Sequence, residues 1–259
     1  MKIVACLKQV PAKDSPLRLK EDATWIREDD LSYEINEPDS YVLEEALQLK
    51  EKHGGEVIAL SVGPLRVQQV IREALAKGAD RAIHIQEDSR SRTDSYYSAR
   101  LMAEALRQEG FDLILAGLQS DDIGLGQTGV ILAELLGVPH ASIIMVVQAL
   151  DGRLKVKREL EGGWFQWDEM PLPALLTIQS GLNKPRFASL KGIKTSKSKE
   201  IRQFTPEQLQ LNSAEIPEGQ RLRRVYIPTK TKKTEFLLGS PREAAAKLAE
   251  KLRLVALQS

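Results

Sequence analysis

The chain has 259 residues, enough for one large domain or a domain with an arm, and a formal charge of +1, which argues against nucleic acid as the main ligand. Its single cysteine, Cys6, excludes an internal disulfide and suits a reducing compartment. No run approaches the roughly 20 apolar residues of a membrane span and no signal peptide is visible, so a soluble protein located in the cytoplasm is expected.

The first residues read as a buried strand, Ile3 to Leu7. A long connection follows, Gln9 to Asp39, with Pro11, Pro16, Pro38 and many charges; a small hairpin is expected around Leu17 to Arg27, with Asn36 at the end of the connection. Connections of this length inside a compact domain commonly carry function. From Ser40 to Lys52 the residues Tyr41, Leu43, Ala46 and Leu47 recur at helical spacing, as do Val67, Val70, Ile71, Ala74 and Leu75 over Val67 to Lys77, giving each helix one core-facing stripe. Further helices are predicted over Thr93 to Glu109 and Gln127 to Leu136, and further strands over Val57 to Val62, Ala82 to Ile85, Leu113 to Ala116 and Ser142 to Gln148. This alternation predicts βαβ units. The fold class is therefore α/β, an open, mostly parallel and Rossmann-like sheet flanked by helices.

From Arg153 the pattern changes. Leu154 to Leu160 alternates as a strand, Glu161, Gly162 and Gly163 form a turn, Trp164 to Trp167 returns antiparallel, and Ala174 to Ile178 is another strand. Beyond Asn183 the chain becomes proline-spaced, basic and weakly periodic, with a short helix after Thr205 and an amphipathic helix from about Glu243 to Leu254. The expected organisation is an α/β domain over residues 1–183, including an antiparallel extension over 153–179, and a C-terminal arm over 184–259 that rests on another body.

The most informative stretch is FDLILAGLQSDDIGLGQTG, residues 111–129, where a buried strand runs through a polar loop into a glycine-rich helix start. Gly124, Gly126 and Gly129 spell G-x-G-x-x-G, and the free N–H groups and positive dipole end of the following helix favour an anion. Gln127 and Thr128 add side-chain donors. The motif departs from the dinucleotide fingerprint, which belongs to the first βα turn, and glycines that merely let loop and helix pack closely are the alternative. Asp121 and Asp122 are either ribose or metal ligands or a solvated pair. His53, His84 and His140 lack metal-ligand spacing, no metal site is expected, and no nucleophile or acid/base constellation is visible. Lys191 to Arg202 is a basic stretch preceded by the apolar Phe187 and Leu190, a surface loop or a device for transient docking.

Several segments in order resemble the beta subunit of electron transfer flavoprotein, and the resemblance covers nearly the whole chain. They are KIVACLKQVP, NEPDSYVLEEALQLKE, EVIALSVGP, EALAKGADRAIHI, LILAGLQSDD with GQTG, VKRELEGG followed by PLPALLT, and NKPRFASLKGI. One departure is Asp168, where the family usually has an aliphatic residue. The resemblance implies an adenine-nucleotide-binding fold with a partner-wrapping arm, and an electron carrier without a substrate reaction of its own. It further implies AMP in this chain, FAD held mainly by an alpha subunit, electron donors that are acyl-CoA or other flavin dehydrogenases, and a membrane quinone oxidoreductase as acceptor.

Carried over by position, the nucleotide is held by Cys6 through its backbone, Asn36, Val62, Gly117, Gln119, Gly126, Gln127 and Thr128, with Asp122 and Gly124 added from the loop and the motif. At Ile123 and Gly124 many relatives carry acidic residues. Wall residues facing the flavin are aromatic in relatives at positions occupied here by Lys13 and Pro38. The segment around Leu190, with Phe187 and Lys191, corresponds to the recognition loop whose leucine inserts into dehydrogenase partners. Two alternatives stay open: a bifurcating type with a second FAD and NADH in the same pocket, and a free-standing ATP-binding or hydrolysing α/β protein.

Overall fold

The structure is a computed structural model that describes residues 1–88, 94–212, 215–229, 231 and 234–256. Two compact units divide the chain, Met1–Arg224 and Val225–Ser259.

The first unit is built on nine strands in one sheet: β1 (Lys2–Cys6), β4 (Glu56–Gly63), β5 (Arg81–Gln86), β6 (Leu113–Gly117), β7 (His140–Leu150), β8 (Arg153–Glu159), β9 (Phe165–Pro171), β10 (Ala174–Ile178) and β11 (Ile201–Phe204). A separate antiparallel pair, β2 (Gln9–Pro11) with β3 (Tyr33–Ile35), lies in the connection after β1. The order is β11-β5-β4-β1-β6-β10-β7-β8-β9. Seven strands, β11 through β7, run parallel; β8 and β9 continue the sheet antiparallel.

Alternation explains the two-sided core. Ile3, Ala5, Leu113, Leu115 and Leu176 face one apolar cluster, and Val4, Cys6, Ile114, Ala116 and Leu175 face the other. Both faces of the central strands are thus buried, which requires near-continuous apolar sequence. Helices α1 (Glu37–His53) and α2 (Gln68–Lys77) cover the first face through Val42, Leu43, Val70 and Ile71. Helices α3 (Ser95–Glu109) and α4 (Thr128–Leu136) cover the second through Leu101, Leu106 and Leu132. The expected start of α3 at Thr93 lies outside the described residues.

Several local expectations are corrected. The hairpin around Leu17 to Arg27 is a single antiparallel bridge, Leu19 with Ile26, too short to bury a face of its own. The returning strand begins at Phe165 rather than Trp164 and continues past Trp167 to Pro171, with Asp168 opposite Val156 in regular register. Beyond Asn183, Leu190–Ser196 forms a short helix, α5, within the stretch read as a basic loop, and Ile201–Phe204 forms β11, a parallel edge strand on β5. A strand of four residues carries too little pattern to be read in isolation, and its pairing exists only because β5 is already in place. After Thr205 the chain makes a turn over 206–210 rather than a helix.

The second unit contains α6 (Pro241–Ala256). Its start is a capping box, in which the Ser240 N–H donates to Glu243 at 2.8 Å and the Glu243 N–H donates to the Ser240 hydroxyl at 3.4 Å. Lys247 Nζ donates to Leu238 O at 2.7 Å and Lys251 pairs with Glu235 at 2.8 Å. Leu248, Leu252, Phe236 and Leu238 remain exposed. No helix among the described residues is long and apolar enough to cross a membrane.

Candidate functional site

The chain runs from β1 outward through β4 and β5, then returns to place β6 on the other side of β1. Between β1 and β6 the connections leave the sheet in opposite directions and open a crevice at the carboxyl ends of the strands, where open α/β sheets hold ligands. A cavity of about 250 Å³ occupies that place. Cys6, Asn36, Val62, Gly117, Gln119, Asp122, Gly126, Gln127 and Thr128 all line it, whereas Gly124 lies outside the lining. Tertiary structure adds Lys8, Gln9, Asp39, Arg66, Asp94 and Tyr97.

Asp39 is the principal residue the sequence reading missed. It stands in the first turn of α1, where an acidic residue reads as an ordinary helix-dipole partner. In the fold it is buried, and its carboxylate accepts the Lys8 N–H at 2.6 Å and the Gly117 N–H, joining the ends of β1 and β6. Burial pushes its pKa up to about 7 against the hydrogen bonds and the Lys8 charge. The Cys6 thiol below it is pushed up to about 12, first by burial and then by Asp39. That thiol stays protonated, so Cys6 borders the cavity as a small apolar group.

Asn36 fixes the polar loop. Its side-chain amide donates to Gln119 O at 3.0 Å, and its Oδ1 accepts the Asp121 N–H at 2.8 Å. Asp121 in turn accepts the Glu37 N–H at 3.1 Å and so caps α1. Asp122 pairs with Lys8 Nζ at 2.6 Å. Burial raises Asp122, but the Lys8 ammonium and its hydrogen bonds outweigh that and hold it below the usual carboxylate range. Both carboxylates of the pair therefore have partners within the chain. Among the described residues no group of three His, Cys, Asp or Glu is arranged to hold a metal.

The three glycines of the motif have different duties. Gly124 and Gly126 turn the loop at φ +67° and +65°, a conformation costly for residues with a Cβ. Gly129 is a contact residue: a Cβ there would lie 2.7 Å from Thr177 Cγ2 on β10. Close packing thus accounts for the third glycine, while the first two aim the chain into α4. The first-turn N–H groups of α4 have no intrahelical acceptors, by helix geometry, and the side chain of the N-cap residue, Gln127, does not cap them. At the opposite wall, Asp94 caps α3 by accepting the Tyr97 N–H at 2.5 Å, and it also accepts the Gly219 and Gln220 N–H groups at 2.7 and 3.1 Å. Gln220 donates to Gln127 Oε1 at 3.2 Å, closing residues 219–220 over this rim.

Away from the cavity, Phe187 and Leu190 are 94% and 88% exposed. Lys191 is exposed beside them. Lys13 pairs with Glu37 near the α1 start.

Sheet order, crevice and amide-rich helix start together define a doubly wound α/β protein with a ligand-sized site at its strand-order reversal. The electron transfer flavoprotein domain model matches residues 24–209. The chain is 39% identical over 257 residues to the electron transfer flavoprotein subunit beta of Methylophilus methylotrophus, covering 96% of this chain and 97% of the relative. It is 35% identical over 229 residues to the Bacillus subtilis protein of the same name, at 88% and 89% coverage. The Thermoanaerobacterium thermosaccharolyticum protein of that name is 33% identical over 256 residues, at 97% and 98% coverage. The chain belongs to the electron transfer flavoprotein beta-subunit family.

Proposed function

We propose that this chain pairs with an alpha subunit as the beta subunit of an electron carrier, holds AMP in the crevice between β1 and β6, and presents Phe187 and Leu190 to dehydrogenases. The observation that carries the reading is the convergence of the uncapped α4 start, Gln127, Thr128 and the Asn36-braced loop on one cavity. This donor set fits an adenine nucleotide. First-turn amides of α4 and the Thr128 hydroxyl suit a phosphate, while Val62, Ala116 and Leu125 supply apolar wall for a base. The partner's FAD, when bound, supplies the redox chemistry. Lys13 and Pro38 stand where relatives offer aromatic residues, so the flavin rests chiefly on the alpha subunit. Electrons pass from dehydrogenases to a membrane quinone oxidoreductase, and this chain contributes nucleotide binding and docking in the cytoplasm.

The test is to denature the purified heterodimer and weigh the released nucleotides. One AMP per heterodimer is expected; a second FAD in its place moves the chain to the bifurcating class, and no adenine nucleotide beyond the flavin defeats the reading. Docking is tested separately with Leu190→Ala. Burying one leucine contributes about 1.5–3 kcal/mol, so reduction by an acyl-CoA dehydrogenase should slow by about tenfold or more with AMP content unchanged. An unaltered rate would remove the docking role.

A further inference from the structure

The exposed anchor is held at both ends by different helices. On one side the Asn183 side chain donates to Tyr41 O at 3.0 Å and to Glu45 at 3.1 Å. Arg186 is fastened more firmly. Its N–H and Nε donate to Glu44 Oε2 at 3.1 and 2.8 Å, its Nη2 donates to Glu44 Oε1 at 3.0 Å, and Nη1 and Nη2 reach Glu51 at 2.5 and 3.1 Å. Tyr41, Glu44, Glu45 and Glu51 lie along one flank of α1 at helical spacing. Glu44 is buried, so its charge depends on the guanidinium and on Gln48, which donates to it at 2.8 Å.

On the other side the Gly192 N–H donates to Ser189 Oγ at 3.0 Å, starting α5, and Gly192 lies so close to α2 that a Cβ would clash with Ala76 O. Arg72 on α2 donates to Ser196 O at 2.6 Å and to Lys199 O at 3.1 Å. Lys199 reaches back to Leu75 O at 2.9 Å and Ala79 O at 2.5 Å. Between these fastenings stand Phe187 and Leu190, almost fully exposed. An apolar tip on a loose loop loses affinity to the entropy of ordering it, and a preformed tip does not.

We propose that Arg186 is the positioning residue of the docking segment, holding Phe187 and Leu190 preformed through its fork onto Glu44 and Glu51; this rests on the docking reading of Leu190. Lysine retains the charge but not the fork, so Arg186→Lys isolates geometry from electrostatics. The experiment uses the flavin-loaded heterodimer, an acyl-CoA dehydrogenase with its acyl-CoA as reductant, and hydrogen exchange of the amides at 187–193. Arg186→Lys should raise KM for the heterodimer about tenfold with kcat within about twofold, speed exchange at 187–193 and leave the bound nucleotide in place. Glu51→Ala, which removes the exposed half of the fork, should move the same readouts about threefold and carries the test if the lysine variant fails to fold. Exchange at 187–193 unchanged in both variants overturns the inference whatever the donor. KM unchanged in both while Leu190→Ala raises it overturns the positioning role alone; KM unchanged in all three removes the docking reading with it.

Discussion

Replacing Gly117 by alanine should unfold the protein at a temperature about 5–15 °C lower and disturb the crevice between β1 and β6. Gly117 ends β6 at the crevice, and a Cβ there would overlap the Asp39 carboxylate and lie 3.0 Å from Pro38 Cβ. The backbone at Gly117 needs no left-handed conformation, so the effect is steric. Asp39 cannot swing away freely, because it is buried and accepts the Lys8 and Gly117 amides. Overpacking costs about 1–3 kcal/mol, and releasing buried amide donors adds about 1–3 kcal/mol for each. Gly137→Ala is the control: it ends α4 in the left-handed conformation at φ +67° and ψ +34°, and nothing lies within 4 Å of the added Cβ, so it should cost only about 1–2 kcal/mol. Thermal melts of the two variants beside the wild type check this. Equal melting points for the Gly117 and Gly137 variants would show that space at Gly117 is not limiting.

The second large effect is a pH dependence set by Asp39. Its pKa is raised by burial from 3.8 to about 7, so the native state keeps a proton that the unfolded chain has released. Stability from this group is therefore highest below the unfolded value and declines as pH rises toward 7, with the full penalty present above it. Between about pH 5.5 and 8 the change amounts to about 2 kcal/mol. Asp39→Asn has no such titration. Urea unfolding of wild type and variant at those two pH values should show the variant gaining on the wild type by that amount as pH rises, even though asparagine matches the Lys8 and Gly117 donors less well. Parallel losses in the two proteins would sink the assignment of the titration to Asp39. The same carboxylate ties the β1 and β6 ends, so its variant also reports on how tightly the crevice is held.

The central sheet was readable because its requirements are local. A strand buried on both faces must be apolar at nearly every position, as KIVAC and LILAG are, and the amphipathic stripes of α1 and α2 repeat often enough to be seen. The same holds for the loop from Gly117 to Thr128, where positive-φ positions demand glycine at Gly124 and Gly126. By contrast, β11 is four residues with a single buried member, Phe204, and it is a strand because β5 offers an unpaired edge. Leu190–Ser196 is a helix because Ser189 caps it and Gly192 allows it onto α2, a contact no periodicity announces.

The sequence by itself therefore determined the fold class, the place of the glycine-rich helix start and, through its ordered motifs, membership of the electron transfer flavoprotein beta-subunit family. Only tertiary structure decided that Asn36 braces the loop instead of standing free, that Asp121 and Asp122 are engaged by α1 and Lys8, and that Gly129 serves packing. It also decided that Asp39 and Arg186 join elements far apart in the chain. The reason is physical: propensity, periodicity and capping act within a few residues and leave a trace in the order of amino acids. A buried carboxylate's partners and a guanidinium's fork are chosen in three dimensions, among groups whose separation along the chain carries no signal.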